Sequence, residues 1–115
     1  MIIKKVVAKQ VLDSRKKPTI QVVVQTDKGS FKTCAPSGKS TGKFEVSMYK
    51  KSVSQDIKTI NKINIKKLNK LNLKKFNDLK KFERFFSKKI GGNSLFTFEA
   101  SLLKAMAKEE KSELF

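Results

Sequence analysis

The sequence contains no histidine and no tryptophan. Without histidine it lacks the one side chain that titrates unperturbed near neutral pH, and also the commonest nitrogen ligand for metals. Acid–base chemistry would fall to lysine or to the ten carboxylates, which are scattered along the chain. A single cysteine, Cys34, excludes an internal disulfide and gives no sign of a stapled secreted scaffold. No apolar run approaches the roughly 20 residues that span a bilayer. Residues 1–25 also lack the apolar core of a signal peptide, being broken by Lys4, Lys5, Lys9 and Asp13. The expectation is a soluble cytoplasmic protein with no membrane partner. Arginine is nearly absent: of 27 basic residues only Arg15 and Arg84 are arginine. That counts against base-reading of nucleic acid, which leans on the planar guanidinium.

What the sequence has in excess is positive charge, a net +17 on 115 residues. Residues 50–89 carry 14 basic residues against 3 acidic. Such a run is by default the solvated side of amphipathic helices. The alternative is an electrostatic landing surface for RNA or another polyanion, with Lys58, Lys62, Lys66, Lys67, Lys70, Lys74, Lys75, Lys80 and Lys81 as its candidates. Lysine is abundant together with asparagine, isoleucine and phenylalanine, all encoded by AT-rich codons, so genome composition is a competing source of the charge.

The length fits one domain, residues 1–115, with a modest core. Residues 2–12 are rich in β-branched side chains and predict a first strand. The turn residues Asp13, Ser14 and Pro18 follow. Residues 19–26 alternate, with Ile20, Val22 and Val24 on one face and Gln21, Val23 and Gln25 on the other. Asp27-Lys28-Gly29 predicts a tight hairpin turn. Residues 30–35 return as a third strand, with Phe31 and Thr33 on one side and Ser30, Lys32 and Cys34 on the other.

Residues 36–43 form a loop, and residues 45–49 are ambiguous. From Ser52 the period becomes helical: Val53, Ile57, Ile60 and Ile63, then Phe76, Leu79, Phe82 and Phe86. Gly91-Gly92 reads as a helix stop and Asn93 as the N-cap of a last helix. There Leu95, Phe98, Leu102 and Met106 make one stripe and Phe96 and Leu103 another, as for a helix packed between other elements. The layout is α+β: a three-stranded antiparallel meander, then three to four helices.

The loop APSGKSTG, residues 35–42, ends like a phosphate-binding loop. Such a loop needs glycine five positions before Gly38, where Thr33 stands, and it follows a parallel rather than a hairpin strand. Both points count against a nucleotide site. The Ser and Thr hydroxyls remain hard oxygen donors suited to magnesium, and Gly38 and Gly42 would let the loop swing as a lid. A plain surface turn is the bland reading of the same residues.

Two blocks resemble the N-terminal region of enolases (phosphopyruvate hydratases). In VLDSRKKPTIQVVVQTDKGSFKTCAPSGKSTGKFE the matches are Leu12 to Arg15, Pro18-Thr19, Gly29, Phe31, Pro36 to Gly38, Ser40 to Gly42 and Glu45. They fall in the order of the family's LDSRGNPT, G-x-F and PSGASTG motifs. In IGGNSLFTFEASLLKAMAKEEKSELF the matches are Gly91, Asn93, Leu95, Lys104, Ala105, Ala107, Leu114 and Phe115.

The resemblance implies the capping domain of an enolase, a meander plus helices that packs on a β/α barrel. The barrel carries the catalytic lysine, the acid and the metal carboxylates, none of which this chain would supply. By resemblance Ser37, Gly38, Lys39, Ser40, Thr41 and Gly42 form the substrate-closing lid. Ser40 helps hold the second magnesium with 2-phosphoglycerate, and Arg15 and Gln21 lie toward the subunit interface of a dimer-like assembly. The partner implied is a separate barrel subunit.

There are departures. Lys16-Lys17 replace the family's Gly-Asn, Lys39 replaces the loop alanine, Gln21 replaces a glutamate, and Thr97 and Glu99 replace a helix glycine and serine. They suggest a diverged capping domain, or a non-catalytic module reusing the fold to bind a polyanion.

Overall fold

A computed structural model describes residues 2–12, 16–35 and 52–114. Strand β1 (Ile3–Leu12), β2 (Pro18–Thr26) and β3 (Gly29–Cys34) precede helices α1 (Val53–Asn61), α2 (Ile65–Lys70), α3 (Leu79–Phe86) and α4 (Gly92–Leu114). The strands form one antiparallel sheet in the order β1-β2-β3. The expected α+β meander with four helices is the observed one. The hairpin turn falls at Asp27-Lys28, and Gly29 takes φ +139°, a conformation that L side chains rarely adopt.

The period-two pattern decides which face is covered. Ile20, Val22 and Val24 are fully buried against the helices, beside Val6 and Ala8 of β1. Their partners in the core are Ile60, Leu68, Leu79, Phe82, Phe86, Phe98 and Leu102. Helix α4 packs on β2 and β3, α1 and α2 lie on β1, and α3 packs on α4. The rings of Phe82 and Phe98 meet edge-on at 4.7 Å, and Phe82 and Phe86 lie 5.0 Å apart. An edge-to-face pair such as Phe82–Phe98 adds about 1 kcal/mol beyond area burial.

Three expectations are corrected. The run between Ser52 and Phe86 holds three helices, not two. Asn64 Oδ1 accepts from the N–H groups of Lys66 and Lys67 and so opens α2, and Asn72 at φ +57° turns the chain after it. Gly91-Gly92 starts α4 rather than stopping α3, which ends at Phe86; Asn93 lies inside the first turn of α4 and is not its cap. The second stripe of α4 is not packed between elements among the described residues: Phe96 is 56% exposed and Leu103 39%. The short α3 covers only part of that flank.

Candidate functional site

Arg15 and the lid segment Ser37, Gly38, Lys39, Ser40, Thr41 and Gly42 lie outside the described residues, as does the ambiguous segment at residues 45–49. What the structure places is the frame around them. The buried Ala35 donates its N–H to the Ile20 carbonyl at 2.9 Å, extending the β3 end of the sheet by one bond. On the return side Ser52 caps α1, its Oγ accepting from the Gln55 N–H at 3.1 Å. Residues 36–51 thus run between two hydrogen-bonded anchors.

Gln21 sits on the sheet face away from the core helices. It is nevertheless buried, its Nε2 is 3.5 Å from the Cys34 sulfur, and its Oε1 has no hydrogen-bond partner among the described residues. An unpaired buried amide oxygen is costly, and a donor from a docking surface would relieve it. The nine candidate lysines, Lys58, Lys62, Lys66, Lys67, Lys70, Lys74, Lys75, Lys80 and Lys81, are all exposed. They are spread over α1, α2, α3 and the connections between them. Lys81 pairs with Asp78 at 3.5 Å. The Asp78 carboxyl accepts from the N–H groups of Lys75 and Lys74 at 2.9 and 3.0 Å, which hold it below its ordinary 3.8.

Three polar devices escaped the sequence reading. Asp56 on α1 is fully buried and reaches the start of α4: its Oδ2 accepts from the Gly91 N–H at 3.1 Å and the Ser94 hydroxyl at 2.6 Å. A carboxylate there meets the positive end of the helix dipole and unpaired first-turn donors. Its signal was an acid at i+3 inside the apolar stripe Val53, Ile57, Ile60. Asn61 and Asn69 each grip the outer edge of β1 through both amide atoms. Asn61 bonds the N–H and carbonyl of Ala8 at 2.7 and 3.0 Å, and Asn69 those of Ile3 at 2.9 Å each. Glu83 and Glu99 line one groove between α3 and α4, near enough to influence each other. Burial first, and then Glu83, push the Glu99 carboxyl up from 4.5 to about 7.

Thr97 stands in α4 where the resembling motif has glycine. Thr97 is fully buried, and its hydroxyl donates to the Asn93 carbonyl at 2.7 Å. Among the described residues no three His, Cys, Asp or Glu side chains gather to hold a metal. No described helix is long and apolar enough to cross a membrane.

A meander backed by four helices, with a Ser/Gly-rich segment leaving the end of its third strand, defines an enolase-type capping domain. The family described as enolase, N-terminal domain, matches residues 3–115, so the chain belongs to that family. It is 56% identical over 45 residues to enolase 1 of Entamoeba histolytica, covering 39% of this chain. It is 39% identical over 70 residues to an enolase of Mastigamoeba balamuthi, covering 53%. Those stretches span 10% and 16% of the relatives' own lengths.

Proposed function

We propose that this chain is the capping and lid domain of an enolase-type enzyme, acting in the cytoplasm on a β/α barrel that the 115 residues do not include. The reaction served is the reversible loss of water from 2-phosphoglycerate to give phosphoenolpyruvate. The family match along nearly the whole chain, running through the PSGxSTG segment, carries this reading.

Magnesium in such an enzyme neutralises the substrate's carboxylate and phosphate. The described residues offer it no cluster, so this chain's contribution would be Ser40, a hydroxyl and a carbonyl oxygen beside a metal held mainly by barrel and substrate. The lid would sequester substrate from water. Lys39 would bring a cation toward the substrate phosphate. Arg15 and Gln21 would face the assembly's interface, and the unsatisfied Gln21 Oε1 supports a donor arriving there.

A second reading is a non-catalytic module whose nine exposed lysines contact RNA or another polyanion. Purification of the chain in its native assembly, with and without nuclease, separates the two. The capping reading expects a barrel protein and magnesium-dependent hydration of phosphoenolpyruvate that survive nuclease. Recovery of RNA alone, lost steeply as salt rises, would overturn it in favour of the second reading.

A further inference from the structure

The groove between α3 and α4 has a volume of about 420 Å³ and is walled by Leu79, Leu95, Phe96 and Leu103. Phe96 and Leu103 are among the few large apolar side chains of the described surface that stay exposed. Glu83 and Glu99 also line this groove and are the only charged residues that do so among the described residues. The influences on Glu99 are its own burial and Glu83, and no basic side chain among the described residues offsets them. An apolar partner alone would desolvate the pair further at a cost. A partner cation would instead satisfy both carboxylates at once, and a guanidinium does so with a planar fork of donors.

We propose that the α3–α4 groove docks a partner-protein segment that inserts one basic side chain, arginine for its planar fork of donors, between Glu83 and Glu99, with its apolar neighbours against Phe96 and Leu103. Glu99 stands where the resembling motif has serine. The inference does not depend on the capping reading, because neither Ser40 nor the lid takes part. Binding should strengthen with pH, since a cation favours the ionised Glu99 and ionisation is completed above about 7.

The test uses the full isotopically labelled chain titrated with phenylbutylguanidinium, and with phenylbutanol as the uncharged counterpart, followed by amide chemical shifts. The expected result is saturable shifts in α3 and the first half of α4, with the guanidinium binding about five-fold or more tightly than the alcohol above neutral pH. The advantage should shrink below neutral pH and vanish in the Glu83→Gln, Glu99→Gln double variant, while a Lys80→Gln control keeps it. Equal affinity for the two probes, shifts confined to other elements, or no saturable binding would overturn the proposal. So would sedimentation showing a dimer that Phe96→Ser dissociates, because the groove would then belong to a second copy.

Discussion

Lys16 holds φ +61°, in the region where an L side chain costs about 1–2 kcal/mol. It occupies the glycine position of the LDSRGNPT motif that the sequence resembles, and glycine is the residue best suited to that φ. Lys16→Gly should therefore stabilise the domain by about 1 kcal/mol, after the extra chain entropy of glycine is subtracted. A thermal melt should show a midpoint roughly 4 °C higher; an unchanged or lower midpoint would contradict the strain. At this scale the sequence was partly legible. The hairpin glycine at position 29 could be foreseen from local turn chemistry. Asp56 could not be assigned a partner, because Gly91 and Ser94 lie 35 and 38 residues away in sequence and meet it only through the packing of α1 beside α4.

Strands and helices are tied by contacts that no periodicity reveals. Edge strand β1 would expose unpaired peptide groups, and the amides of Asn61 and Asn69 occupy them as a neighbouring strand would. Asn69→Ala removes two part-buried bonds and should cost about 1–3 kcal/mol in urea unfolding; a loss indistinguishable from zero would show that water replaces the clamp freely. The helices themselves were legible from the spacing of apolar residues. The division of the first run into α1 and α2 was not, since it depends on Asn64 capping and Asn72 adopting φ +57°.

The Glu83–Glu99 contact couples α3 to α4 with a definite sign. Glu99 titrates at about 7 when folded against 4.5 unfolded, so the folded state binds the extra proton between those values. Stability should thus decline as pH rises from about 4.5 to about 7, and Glu99→Gln should flatten that slope. Asp27 and Asp78 act in the opposite sense at lower pH. Their carboxyls are held below 3.8 by backbone N–H groups, of Ile2 for Asp27 and of Lys75 and Lys74 for Asp78, so their stabilisation is lost only on acidification through that range. Melts of wild type and Glu99→Gln across this range check the assignment.

The whole molecule is a small core sheet with one face covered by helices, carrying far more positive charge than its fold needs. Fold class was legible because strand period and hairpin turn mark residues 2–35 and helix period marks the chain from Ser52 onward. Family membership was legible because the motifs fall in order at both ends of the chain, and the match over residues 3–115 agrees with that reading. The role of residues 36–42 was not legible from composition, since PSGKSTG satisfies equally the needs of a surface turn and of a magnesium-facing loop. Only a barrel and its substrate distinguish the two. The decisive measurement is a chimera in which this chain replaces the N-terminal domain of the Entamoeba histolytica enolase, assayed for magnesium-dependent interconversion of 2-phosphoglycerate and phosphoenolpyruvate. The capping account predicts an active chimera whose kcat falls by about ten-fold or more on Ser40→Ala. A folded chimera with no activity, or one that Ser40→Ala leaves unchanged, would contradict it.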